Sequence, residues 1–298
     1  MSWRVTFACS RAEGEAIGAT EELPGFGENP PVLVADEPDP AKPDEWLIHA
    51  YFDHPPSADE LAGLRRLAAS EPQVEQLGDS NWVAMSQAGL EPIRAGRFTV
   101  HTPTFCPEPG RINFEIDAGL AFGTGQHATT AGCLAALDNL EANGCSFANI
   151  ADIGTGTGLL AFAALALWPE ARCIATDIDP VAIEVARENA AINGVALGHE
   201  PGELLLAGAD GMDSPMLAAR APFDLIIANI LAGPLIELAP DFAKALAPGA
   251  KLVLAGLLGT QAESVVRAYE VLGLSLDDRG SGEWPVLILS SQSRPAAA

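Results

Sequence analysis

The chain has 298 residues, 48% of them hydrophobic, and a formal net charge of −24, enough sequence for one large or two ordinary domains. Such acidity argues against sequence-independent nucleic-acid binding, which needs lysine and arginine on phosphates, and favours basic partners instead. The charge is split −11 over residues 1–88 and −13 over the remainder, so composition singles out no docking face. No apolar run reaches bilayer-spanning length, and M-S-W-R-V-T-F is not a signal-peptide start. Five scattered cysteines (Cys9, Cys106, Cys133, Cys145, Cys173) and five scattered histidines lack metal-ligand spacing. A cytoplasmic protein without a membrane segment or a metal, compatible with a monomer, is expected.

Residues 1–88 alternate short strand and helix signals. Strands are expected over residues 3–9, 31–35, 46–52 and 74–77, and helices over 12–23 and, from the N-cap Ser57, over 58–69. The order β-α-β-β-α-β predicts a small ferredoxin-like α+β domain. Residues 89–112 have weak periodicity and several prolines, and read as a linker holding one or two strands, 98–101 among them. Regular structure restarts at 111–117 and opens a domain over 113–298.

From residue 149 the alternation is regular. Strands are expected at 150–153, 173–178, 204–207, 224–229 and 252–257, with helices at 131–140, 158–167, 181–192, 235–246 and 262–272. Asp179 caps the helix over 181–192, Pro180 opens it and Asn193-Gly194 closes it. The tail, 275–278 and 284–290 around D-R-G-S-G-E, reads as an antiparallel hairpin. The fold expected is α/β: a Rossmann-like sheet ending in a reversed strand, which resembles class I methyltransferases more than nicotinamide-binding domains.

Three motifs carry the chemistry. Residues 151–158, A-D-I-G-T-G-T-G, run from a buried strand through a glycine turn into a helix. Gly154, Gly156 and Gly158 have G-x-G-x-G spacing, whereas the dinucleotide fingerprint sets its third glycine one place later, over a pyrophosphate. No lysine follows, so nothing marks a phosphate site. Asp177, near the end of C-I-A-T-D-I-D, can accept hydrogen bonds from both ribose hydroxyls. A ribose acceptor without a phosphate cradle points to S-adenosylmethionine (AdoMet). Gly154 lets the backbone approach such a ligand without a Cβ. Asp152 can orient turn amides or hold the cationic amino group through water. Asp210, in G-A-D-G-M, is either an adenine-amino acceptor or a simple turn aspartate.

The second motif is residues 119–130, G-L-A-F-G-T-G-Q-H-A-T-T. Its glycines give a loop able to close over a ligand. Phe122 and His127 either cover the cofactor or make ordinary loop contacts, and Thr129 and Thr130 cap the following helix or bind. The third, A-N-I-L-A-G-P-L at residues 228–235, places Asn229 at a strand end, where ligand crevices lie and where strand propensity does not explain an asparagine. A strand-end cap is the simpler alternative. Aliphatic residues after Asn229, rather than Pro-Pro-aromatic, suit a lysine amine better than a planar amide or base.

The segments A-F-G-T-G-Q-H-A-T-T, D-I-G-T-G-T-G-L-L-A, D-I-D-P-V-A-I, N-I-L-A-G-P-L and G-E-W-P-V-L-I-L closely resemble the family of methyltransferases acting on large-subunit ribosomal protein eleven. The similarity extends from Phe114 onward and is weaker in the N-terminal part. It implies AdoMet-dependent trimethylation of lysine side chains and an N-terminal amine on that basic ribosomal protein. It further implies that residues 1–88 recognise the substrate, and that Thr130, Gly154, Asp177 and Asn229 contact the cofactor. Gln126-His127-Ala128 stands where relatives often have Thr-His-Pro, and Thr155 and Thr157 where they have Cys or Ser.

A methyl transfer from a sulfonium mainly requires a close, aligned and uncharged amine, yet free lysine titrates near pH 10.4. Burial disfavours the ammonium, and a sulfonium about 4 Å away lowers its pKa by ~3 units at an effective dielectric near 20. The Asn229 carbonyl then accepts an amine N–H without stabilising the ammonium as an aspartate would. The rivals are a methyltransferase acting on another protein or a small-molecule amine, a catalytically silent AdoMet-fold binding protein, and a nicotinamide oxidoreductase.

Overall fold

The computed structural model describes residues 2–10, 31–36, 45–52, 54–65, 70–77, 92–116 and 128–292. Its contacts divide the chain into two units, residues 1–89 and 90–298.

In the first unit, β1 (Ser2–Ser10), β2 (Val32–Asp36), β3 (Glu45–Phe52) and β4 (Gln73–Leu77) form an antiparallel sheet in the order β2-β3-β1-β4. This is the ferredoxin-like order. Alternate residues Val5 and Phe7 on β1, and Ile48, Ala50 and Phe52 on β3, join Leu64 in one core, as the two-residue period of a strand requires. Leu64 belongs to α1 (Ala58–Leu64), which starts at a reciprocal capping box between Ser57 and Glu60. The helix ends at Leu64, short of Ala69, and residues 66–69 lie outside the described set, as does the helix expected over 12–23.

The second unit opens with β5 (Ile93–Ala95), β6 (Phe98–His101) and β7 (Ile112–Glu115), a three-stranded sheet. The stretch that reads as a connector is therefore substantially folded, and Phe98, Val100 and Phe114 enter the main core. Strands of three or four residues are too short to show a period, and β6 is buried at every position, which erases alternation.

The main sheet contains β8 (Asn149–Ile153), β9 (Arg172–Asp177), β10 (Leu204–Gly208), β11 (Phe223–Asn229), β12 (Leu246–Ala255), β13 (Leu274–Arg279) and β14 (Leu287–Ser291). Their order is β10-β9-β8-β11-β12-β14-β13, with β14 antiparallel to both neighbours and the other pairs parallel. The helices are α2 (Ala128–Ala142), α3 (Leu159–Leu167), α4 (Pro180–Ile192), α5 (Pro215–Arg220), α6 (Ala232–Glu237), α7 (Ala239–Ala245) and α8 (Ala262–Glu270). Leu225, Ile227, Val253 and Ala255 face one apolar cluster and Ile226, Ala228, Leu252 and Leu254 the other. Strands buried on both faces read as unbroken apolar runs. Helix α3 is buried at eight of its nine positions, each large side chain contributing about 1.5–3 kcal/mol of burial.

Two helices differ from expectation. The single helix expected over 235–246 is α6 followed by α7, because Pro240 has no N–H to give the carbonyl four residues back. Between β10 and β11 the sequence reading has no helix, yet Ser214 caps α5 with Pro215 at its first position.

Candidate active site

The carboxyl ends of the parallel strands gather most of the expected residues on one edge of the sheet. After β8 the chain enters the glycine turn, where Gly154 and Thr155 both donate backbone N–H to the Thr176 carbonyl at 2.8 and 2.9 Å. Gly156 donates instead to Asp177 Oδ2 at 2.9 Å, while Asp177 Oδ1 accepts the Asp179 N–H at 3.0 Å. Asp177 thus ties the turn to the start of α4. A carboxylate offers about four acceptor positions, so two used here leave capacity for a diol. Ile178, next along, is 69% exposed, an apolar surface at the same edge that the sequence reading missed.

Asp152 lies under the turn, fully buried, with Oδ2 accepting the Thr155 hydroxyl at 2.6 Å. Its Oδ1 is buried and, among the described residues, has no partner at full hydrogen-bond geometry, the Ala161 N–H facing the carboxyl more loosely. Burial pushes the carboxyl up to about 7, against the pull of the Thr155 hydroxyl and the Ala161 N–H. Burial also raises the Cys133 and Cys173 thiols, so neither is a thiolate nucleophile at neutral pH.

Asn229 closes β11, half-buried, and its Nδ2 donates to the Thr130 hydroxyl at 3.2 Å. Thr130 is buried in the first turn of α2, and its hydroxyl holds the Asn229 amide. The Asn229 Oδ1 is buried and, among the described residues, unpartnered. Ile230 is seated between two glycines. A Cβ on Gly154 (φ +73°) would strike its side chain, and one on Gly256 (φ +86°) would strike its backbone, with the Ile230 nitrogen at 2.9 Å. Only glycine allows both the left-handed angle and this closeness. Gly256 was not among the expected residues, although a glycine directly after a strand, as in A-G-L-L-G, is a detectable signal.

Asp210 stands exposed just past β10, in a turn closed by the Asp213 N–H on its carbonyl at 3.0 Å. The preceding Ala209 N–H donates to the Asp177 carbonyl at 2.9 Å, so Asp210 follows at the same edge. Phe122 and His127 lie outside the described residues.

A mostly parallel sheet with one reversed strand, a glycine turn after β8 and a carboxylate ending β9 defines a class I methyltransferase fold. The chain belongs to the ribosomal protein L11 methyltransferase (PrmA) family, whose model matches residues 16–292. A relative from Brucella suis, named ribosomal protein L11 methyltransferase, is 48% identical over 203 residues, 67% of this chain and 69% of that protein. One of the same name from Rhizobium leguminosarum bv. trifolii is 43% identical over 251 residues, covering 82% and 83%. The crystal structure of ribosomal protein L11 methylase from Lactobacillus delbrueckii subsp. bulgaricus matches with a TM-score of 0.55 at 26% identity, covering 65% of this chain and 94% of that one.

Proposed function

We propose that this protein transfers methyl groups from AdoMet to lysine amines of ribosomal protein L11, and to its N-terminal amine. One observation carries the chemistry: Thr130 fixes the Asn229 side chain, whose Oδ1 is left buried and unpartnered. A buried acceptor without a donor is costly unless a ligand supplies one. A neutral amine N–H is such a donor, and its bond to Oδ1 turns the nitrogen lone pair away from the strand end. As an uncharged acceptor, Asn229 does not favour the ammonium form.

The glycine turn fits AdoMet on the same reasoning. Asp177 has acceptor capacity for ribose hydroxyls, Ile178 offers apolar surface to a base, and the orphaned Asp152 Oδ1 suits a cationic amino group reached through water. Bound AdoMet supplies an activated methyl group; the protein's part is to hold the amine dry, neutral and aligned. Residues 1–88 serve to recognise the substrate, and a ribosomal protein substrate places the enzyme in the cytoplasm. Mass spectrometry of L11 after incubation with the enzyme and AdoMet tests the proposal. Mass gains in methyl units on lysine are expected, and an unmodified L11 refutes it.

A further inference from the structure

Beside the Asn229 edge runs a groove of about 470 Å³, between α2 and the turn joining β13 to β14, lined by Ala128, Gly132, Asn139, Asp278, Glu283 and Trp284 among others. Its position follows from the sheet register. Asn229 pairs with Ala255 on β12, and Leu254 pairs with Leu287 on β14. The residues preceding β14 therefore emerge at the same edge, two strand spacings, or about 10 Å, from Asn229. The near end of the groove touches the first turns of α2, where Gly132 packs so closely on Val286 that a Cβ would lie 2.7 Å from its side chain. Asp278 pairs with Ile288, two residues further along β14, so it lies about 7 Å deeper.

The lining has a definite chemistry. Asp278 and Glu283 are exposed acids; of the basic side chains beside them in the sheet, Arg279 donates to the Gly259 carbonyl at 3.1 Å and Lys251 is engaged by Asp277 at 2.7 Å. Among the described residues neither Asp278 nor Glu283 has an ion-pair partner, and no lysine or arginine lines the groove. Trp284 gives an aromatic wall, which suits aliphatic stems and cations alike. The register puts these acids roughly 10–12 Å from Asn229, the span of about three or four extended residues.

We propose that this groove is a subsite for a cationic stretch of the polypeptide substrate, in which Asp278 and Glu283 take a basic side chain about three or four residues from the lysine being methylated. The inference rests on the methyltransferase reading above and adds a determinant of substrate choice. It explains why a strongly acidic enzyme keeps unpaired carboxylates beside its reaction edge, since complementary charge steers a basic partner and fixes its register.

The test uses the full-length enzyme, full-length L11 and a labelled methyl donor. Both acids are exposed, so the double variant Asp278→Asn, Glu283→Gln is expected to fold and to bind AdoMet as the wild type does by calorimetry. Its KM for L11 rises about fivefold with kcat unchanged, and its KM responds less steeply to salt. As a second arm, a lysine peptide carrying arginine about three or four residues away inhibits L11 methylation better than the same peptide with glutamine there. Wild-type KM and salt response in the double variant, or equal inhibition by the two peptides, overturns the groove while leaving the methyltransferase reading standing. Failure of the wild type to methylate L11 removes both.

Discussion

Asn229 and Thr130, separated by 99 positions in the chain, meet through a 3.2 Å hydrogen bond from side-chain amide to hydroxyl. The bond fixes which way the amide faces and leaves its oxygen without a partner among the described residues, the position that the proposed mechanism gives to the substrate amine. Asn229→Ala should lower kcat roughly 100-fold at saturating AdoMet, because a misplaced amine loses its aligned approach. Thr130→Val keeps the shape but removes the anchor, and should cost about tenfold. Initial rates on L11 decide this, and wild-type turnover in Asn229→Ala excludes the proposed role.

Asp177 joins the glycine turn to α4 through two backbone N–H bonds, to Gly156 and Asp179. Asp177→Ala therefore loses the turn geometry and, with it, the proposed ribose acceptor. Bonds to a charged group are worth about 1.5–3 kcal/mol each, so AdoMet affinity should fall at least tenfold, read by calorimetry. Undiminished affinity would remove Asp177 from the cofactor site.

Gly256 packs against the Ile230 backbone, next to Asn229. In Gly256→Ala the new Cβ displaces the Ile230 backbone and, with it, the adjoining Asn229. The left-handed angle adds about 1–2 kcal/mol of strain. A lower Tm together with a kcat loss of about 100-fold is expected, with AdoMet affinity less affected. A variant that is destabilised but fully active would show that the seat of Ile230 does not govern Asn229.

The buried Asp152 carboxyl is pushed up to about 7, above the value of about 3.9 for an unfolded aspartate. The ligand-free folded state therefore holds a proton that the unfolded chain has released between these two values. The stability this contributes is full below pH ~4 and is lost as pH rises through ~7, a total of order 4 kcal/mol. Asp152→Asn cannot ionise, so wild type should lose Tm relative to this variant between pH 5 and pH 8. Parallel Tm curves over that range would count against an ionising Asp152.

The succession of strands and helices in the main sheet was legible because its elements carry strong local signals: apolar runs for strands buried on both faces, the Asp179-Pro180 cap, and the glycine turn. Residues 93–115 were less legible, since each strand is too short to display a period. The α6–α7 break was marked by Pro240, but its cost depends on where the helix starts. Gly154 was expected to clear space for a ligand; the reason visible in the structure is its packing on Ile230. Ile178 and Gly256 were passed over because an apolar residue or a glycine after a strand is ordinary until its neighbours are known.

What the sequence determines alone is chemistry that lives in contiguous residues: the strand-turn-helix over 151–167, the carboxylate at 177, the asparagine at 229. Only the tertiary structure sets Thr130 on Asn229, Gly156 on Asp177, and Gly154 and Gly256 around Ile230. The first joins a helix start to a strand end, and the others join strand ends that parallel crossovers bring together from separate parts of the chain. Hydrogen bonds and close packing depend on distances of a few ångströms, and spacing along the sequence does not encode those distances.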